Sequence, residues 1–285
     1  MARTRFGLGR GAPTRRLVQG AAALGLLASI AAPAATAPTP VIPAPSLVRA
    51  TPALWEVRDA DTTIYLFGTF HSLDGRTVWF NNRVRSAFDS SGELVLETIV
   101  PESPAAVRAA GQDQVTEIGA DGSRKLKPFI AGTRQAMDQG RSLGLSVEHG
   151  ADSVLRRVAE DSGKSVGGLE KFEDQLGTLA RIPASPANDH AAAAPLPVTM
   201  NDLLVAWTNG NTDAFSSMLA GFESNAPAAY RILIADRNAR WGQWIADRLE
   251  RPGTVFVAVG SGHLAGKDSV QRWLAARGIE TTRVG

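Results

Sequence analysis

Ile64-Tyr65-Leu66-Phe67-Gly68-Thr69-Phe70-His71 and, far downstream, Val255-Phe256-Val257-Ala258-Val259-Gly260-Ser261-Gly262-His263 share one pattern: an apolar run, a glycine, and a histidine three residues after it. The chain spends two of its four histidines in this way. Uninterrupted runs of β-type residues read as strands buried on both faces, the signature of a sheet covered by helices. A strand that ends in glycine and turns places the next side chains at the carboxyl edge of the sheet, where open α/β sheets bind ligands. Two imidazoles delivered there supply half of a metal or acid–base site.

Around these two runs the pattern predicts an α/β fold. Leu54-Trp55-Glu56-Val57 and Ile64–Phe67 flank the polar Asp59-Ala60-Asp61-Thr62, a hairpin signal. Val78, Val84, Ala87 and Phe88 follow helical spacing over 78–89, and Glu93-Leu94-Val95-Leu96-Glu97-Thr98-Ile99 reads as a strand. Amphipathic helices are predicted over 128–144, 151–162, 171–182, 199–220 and about 226–250. Gly167-Gly168 marks a connection, and an Ala/Pro-rich loop spans 183–198. A strand at 254–259, a helix at 268–277 and a strand near 280–284 close the chain. The expected architecture is a central mixed sheet built from both ends of the chain, with a large helical insertion over about 100–250.

The amino end reads as an export signal. Arg3, Arg5, Arg10, Arg15 and Arg16 precede an apolar stretch from Leu17 to Ala32, and small residues follow, with Ala32-Pro33-Ala34 as a cleavage signature. Residues 1–34 are thus assigned as a signal peptide, 35–52 as a flexible Pro/Ala-rich lead-in, and 53–285 as a single domain. The expected location is the periplasm or the cell exterior, with membrane attachment only if the signal stays uncleaved. The net charge of +2 belongs to the leader, since removing it leaves about −3, and no basic surface for nucleic acid remains. With no cysteine, any metal must be held by histidine, carboxylate or water.

Three further residues are candidates for chemistry. Glu97 lies in an apolar strand, where a carboxylate is costly unless paired, hydrogen-bonded or bound to metal. Arg237 shares a helical face with Trp241 and Trp244 and so points inward, where a guanidinium requires an anionic partner. Glu170 follows the short apolar piece Val166–Leu169 and reads on its own as a glutamate at a helix start. His149 lies in a turn and His190 in the Ala/Pro loop, and both read as solvated. No H-E-x-x-H zinc helix, G-x-S-x-G elbow or complete phosphate loop occurs in the sequence.

Taken in order, Leu54–Val57, Tyr65–His71, Glu93–Glu97, Gly168-Leu169-Glu170, Ala206–Asn211, Arg237-Asn238 and Val257–Gly266 resemble the TraB/GumN family. That family also includes the animal Tiki membrane proteases and the pheromone-shutdown proteins. Its pattern of two G-x-x-H motifs, a strand glutamate and a helix arginine falls here on His71, His263, Glu97 and Arg237. The resemblance implies a fold akin to the haem-binding ChaN and erythromycin-esterase proteins. It also implies divalent-metal-dependent peptide hydrolysis of the Tiki kind, with manganese or cobalt as the metal. This chain departs from the pattern in its long Ala/Pro loop and in its signal peptide, which stands in place of an evident membrane tail.

The combined expectation is an exported metal-dependent hydrolase acting on a peptide or peptide-like bond. His71 and His263 would hold manganese, cobalt or zinc with a carboxylate from Glu97 or Glu170. The carboxylate left over would accept the water proton, and Arg237 would face the oxyanion or a substrate carboxylate. The alternative is a non-enzymatic protein whose cleft binds haem, a peptide or an envelope polysaccharide.

Overall fold

The structure is a computed structural model that describes residues 46–101, 103–111, 116–118, 120–182 and 198–285. The expected signal peptide, most of the lead-in and nearly all of the Ala/Pro loop lie outside the described residues. The strands are β1 (Val48–Arg49), β2 (Leu54–Arg58), β3 (Thr62–Thr69), β4 (Thr77–Val78), β5 (Glu93–Thr98), β6 (Thr116–Ile118), β7 (Arg124–Leu126), β8 (Ser165–Glu170), β9 (Gly253–Gly260) and β10 (Thr282–Arg283). The helices are α1 (Asn82–Ser90), α2 (Pro104–Gly111), α3 (Pro128–Ser142), α4 (Ala151–Asp161), α5 (Phe172–Ala180), α6 (Met200–Thr208), α7 (Asp213–Asn225), α8 (Pro227–Tyr230), α9 (Asp236–Leu249) and α10 (Val270–Ala275). Among the described residues no helix is long and apolar enough to cross a membrane.

Six strands form the central mixed sheet in the order β10-β2-β3-β9-β5-β8. The hairpin β2–β3 is antiparallel, and its turn is closed by Asp59 Oδ1, which accepts from the Thr62 and Asp61 backbone N–H groups. From β3 onward every pairing is parallel: β3 with β9, β9 with β5, and β5 with β8. The two runs that decided the reading are therefore lateral neighbours, paired from Thr62↔Gly253 to Thr69↔Gly260. Strand alternation sorts the side chains into two cores. Ile64, Leu66, Val95, Val255, Val257 and Val259 pack under α9 and α10, whereas Phe67, Leu94, Leu96, Phe256 and Ala258 pack under α1, α4 and α6. Each of the valine, leucine, isoleucine and phenylalanine side chains contributes about 1.5–3 kcal/mol on full burial. Helices thus cover both faces of the sheet, which is why its central strands carry no polar alternation.

The structure corrects three sequence expectations. The helix expected over 199–220 is two helices, α6 and α7, because Gly210 adopts φ +65° between them. There a Cβ would lie 2.5 Å from the Thr51 carbonyl oxygen, so the turn needs glycine for both conformation and space. The insertion is not wholly helical: β6 pairs with β7, and Ser165–Glu170, read as a connection leading into a helix, is instead the edge strand β8. Its two glycines hide the strand signal, and pairing with β5 outweighs their low strand propensity. The stretch 226–250 is helical but not uniform. A turn begun by Pro227 runs into a π-helical segment, Arg231–Ala235, and then into α9. At the end of the lead-in, β1 pairs with β4.

Candidate active site

The site lies where β3, β9, β5 and β8 end. Thr69 and Gly260 are register partners, and the chain turns at both places. Ser261 Oγ donates to the Thr69 carbonyl at 3.0 Å, and Trp207 Nε1 donates to the Gly68 carbonyl at 2.8 Å, tying the two turns into the core. Gly68 is needed because a Cβ there would stand 2.8 Å from Ser261 Oγ. His71 follows β3 by two residues, and His263 sits in a short 3₁₀ turn, Ser261–Leu264. Glu97 is two residues beyond Val95 on β5 and so faces α9. Arg237 meets it from the first turn of α9, just after the π segment. Such segments recur at functional sites because they re-aim the residues beside them.

Arg237 joins the site together. Its Nε donates to Glu170 Oε1 at 2.7 Å and its Nη2 to Glu97 Oε2 at 2.8 Å, while Nη1 lies 3.2 Å from His263 Nε2. The Trp241 ring lies 4.5 Å from the guanidinium carbon, and the same indole packs on the His263 imidazole. Arg237 is buried and Glu97 and Glu170 are largely so, with side chains 8%, 13% and 6% exposed. The other oxygen of Glu97, Oε1, accepts the Gly260 backbone N–H at 2.6 Å. Glu170 Oε2, Thr69 Oγ1 and Thr98 Oγ1 are buried with no hydrogen-bond partner.

The two histidines are held differently. Asn238 Nδ2 donates to the Asp268 and His263 carbonyls, which leaves Asn238 Oδ1 to accept from His263 Nδ1 at 2.6 Å. The free lone pair of His263 is therefore on Nε2, and it faces the Arg237 N–H. His71 is 60% exposed, and its Nδ1 lies 3.0 Å from Asp152 Oδ1. Asp152 stands in the first turn of α4, where a carboxylate is favoured. The turn before α4 can press against His71 only because residue 150 is glycine; a Cβ there would collide with the His71 carbonyl. With Nδ1 directed at Asp152, Nε2 of His71 faces inward. A Cβ on Gly260 would be 3.0 Å from both His71 Nε2 and Glu97 Oε1.

The electrostatics follow from this geometry. Asp152 beside it pushes the His71 imidazole up to about 9. Burial pushes His263 down to about 3, helped by Arg237, so this ring is neutral at physiological pH. Burial alone would raise Glu97; His263, Arg237 and His71, with the Gly260 N–H, reverse that and hold it at about 2. Because His263 is uncharged above about pH 3, Arg237, the charged His71 and the Gly260 N–H are the partners that matter for Glu97 at neutral pH. Arg237 is driven above its ordinary value: burial opposes its charge, and the two glutamates more than compensate.

Because residue 260 is glycine, an imidazole nitrogen and a carboxylate oxygen approach one point beside it, donors of the kind that divalent cations of the imidazole- and oxygen-binding type accept. His263 Nε2 lies 3.8 Å from the same Glu97 Oε1 and 3.2 Å from Arg237 Nη1, so it stands beside this point with its lone pair toward the guanidinium. Among the described residues no group of three or more histidine, aspartate or glutamate side chains is spaced to enclose an ion. A cavity of about 400 Å³ opens onto Thr69, His71, Glu97 and Asp152, and a larger one of about 1140 Å³ lies beyond Glu170 along α5. His149 is in an exposed turn against Ser146, away from this cluster, and His190 lies outside the described residues.

Sequence reasoning marked His71, Glu97, Glu170, Arg237 and His263, and the fold brings all five to one end of the sheet. It missed Asp152 and Asn238. Asn238 had a signal in its place directly after the inward-facing Arg237. Asp152 had only its position at the start of an amphipathic helix. Fold and site together define a three-layer α/β protein with a histidine–carboxylate–arginine cluster at the carboxyl edge of its sheet. The chain belongs to the TraB/PrgY/gumN family, whose profile matches residues 53–115 and 101–283. It is 28% identical over 149 residues to "uncharacterized protein YbaP" of Escherichia coli strain K12, and equally to the protein of that name from Shigella flexneri. These alignments cover 48% of this chain and 52% of each relative, so the chain spans about half the length of the curated relatives it matches. No solved structure matches the chain.

Proposed function

We propose that this protein is an exported hydrolase of peptide or peptide-like bonds, dependent on a divalent cation such as manganese, cobalt or zinc. The observation that carries the reading is the pair His71 Nε2 and Glu97 Oε1, both 3.0 Å from the place where any side chain on Gly260 would begin. These two atoms would hold the cation, which supplies Lewis acidity to water and to a carbonyl oxygen.

The chain's own groups divide the remaining work. With its pKa pushed up to about 9 by Asp152, His71 carries a proton on each ring nitrogen near neutral pH. To hold a cation it would give up the Nε2 proton while Asp152 keeps the Nδ1–H, as outer carboxylates do for ligand histidines. Glu97, held ionised by Arg237 and Gly260, is a poor base and a good fixed anion. Glu170 is the proton carrier in this proposal: Arg237 holds its Oε1 and leaves Oε2 unpartnered. As the water oxygen bonds to the carbonyl carbon, its proton would pass to Glu170 Oε2. That oxygen is buried on the side of the neighbouring cavity and would have to become accessible when substrate binds. The same proton goes to the nitrogen as the C–N bond breaks, releasing a carboxylic acid and an amine. Arg237 directs its N–H groups at Glu97, Glu170 and His263, so its role is to position them. The test is to strip the purified protein of metal and assay a peptide library with manganese, cobalt or zinc restored. Cleavage that needs metal and is lost in folded His71→Ala and Glu170→Gln variants supports the reading. Tight binding of haem, peptide or polysaccharide without turnover under any metal would replace it with a binding protein.

A further inference from the structure

The cavity that reaches His71 and Glu97 has a mixed lining. It includes polar groups, among them Thr69, His71, Glu97 and Asp152 with Arg156 and Gln175, and an apolar set of Leu96, Val100, Met137 and Val147. Arg156 donates to the Val100 carbonyl at 2.8 Å. Leu96 is buried, but Val100, Met137 and Val147 are 46%, 43% and 44% exposed. Three large apolar side chains left in water around one opening are unusual unless something apolar covers them. They come from three separate segments: Val100 follows β5, Met137 is on α3, and Val147 is in the turn before α4. Their meeting at the mouth of this cavity is thus a product of the tertiary fold.

We propose that this apolar set is a specificity subsite that takes a bulky apolar side chain of the substrate next to the bond cut. The proposal rests on the hydrolase reading and adds a substrate class to it: peptides with leucine, methionine, phenylalanine or valine beside the scissile bond. A backbone carbonyl set against His71 and Glu97 would have its neighbouring side chain within reach of Val100, Met137 and Val147, because all of these line one space of about 400 Å³. Apolar pockets discriminate by steps of about 10–200-fold per methylene-sized difference.

The experiment uses the full protein with restored metal and a peptide library whose cut sites are read by mass spectrometry. Apolar residues should be enriched at one position flanking the cut. For paired peptides that differ only there, kcat/KM should favour leucine over serine by about tenfold or more. Met137→Glu and Val147→Ser alter exposed side chains and should keep the fold. They should lower the ratio of leucine-peptide to serine-peptide kcat/KM about tenfold. Cleavage without apolar enrichment would overturn the subsite and leave the hydrolase standing. If no peptide is cut, binding of N-acetyl-leucine amide and N-acetyl-serine amide, read by chemical-shift titration, decides. Tighter leucine binding, lost in Met137→Glu, supports the subsite, and equal binding refutes it. A Met137→Glu variant that changes only the oligomeric state by sedimentation would show that a second copy covers the apolar set, and would also refute the subsite.

Discussion

At Gly260 the backbone is open to any L-residue, with φ −53° and ψ 136°. Only the ends of Glu97 and His71, each 3.0 Å from the Cβ position, oppose a substitution. Gly260→Ala should therefore fold with a stability within about 1 kcal/mol of the parent and lose at least about 100-fold in turnover, because displacing reacting groups by a fraction of an ångström is costly. Thermal unfolding and kcat measured on the same sample check both halves. Arg237 tests the opposite case. Arg237→Met leaves Glu97 and Glu170 buried without their shared cation, and breaking a buried pair this way costs about 3–5 kcal/mol. Denaturant titration should show that loss. Arg237→Lys should recover less than half, since one ammonium cannot span two carboxylates and an imidazole. Much of the site was legible residue by residue. A carboxylate inside an apolar strand and an arginine on a tryptophan stripe are expensive, and expense is visible in sequence. Asp152 is cheap at the start of a helix and left no such mark.

Among the elements, the unbroken apolar strands were read correctly, whereas two of the misread elements are broken by glycine and a third, 226–250, by a proline turn and a π-helical segment. Strand β9 is apolar without a gap, and its burial on both faces follows directly. Strand β8 carries Gly167 and Gly168, so its contribution to the sheet, and with it the placement of Glu170, was hidden. The split between α6 and α7 has the same origin: one residue at φ +65° outweighs a helical pattern that continues on both sides. Gly210→Ala should accordingly destabilise the protein by more than about 1 kcal/mol through strain and contact with the Thr51 carbonyl, seen as a lower urea midpoint with an unchanged slope. A loss smaller than that would mean the turn tolerates a side chain by rearranging.

For the whole molecule, the buried histidine ties stability to pH. His263 is depressed from 6.5 to about 3 in the folded state. Between those values the unfolded chain binds a proton that the folded one refuses. Its contribution is intact above pH 6.5 and falls by about 1.4 kcal/mol per pH unit below it. Glu97, depressed from 4.5 to about 2, adds a second loss that begins only below pH 4.5. His71 acts in the other direction: its raised pKa adds stability as pH falls from about 9 toward 6.5, with solvent screening this exposed pair. Stability should peak near pH 6.5. Denaturation between pH 6.5 and 5 should show a slope that His263→Gln flattens; an equal slope in the variant would assign the effect elsewhere.

The pairing of β3 with β9 joins segments about 190 residues apart, as the Ser261–Thr69 hydrogen bond between them shows. A nascent polypeptide leaving the ribosome amino end first therefore carries the Thr62–Thr69 segment with one flank bare until the Gly253–Gly260 segment has emerged. The central layer cannot close until about 190 further residues have been made, and over that interval the bare strand flank is open to holdase chaperones.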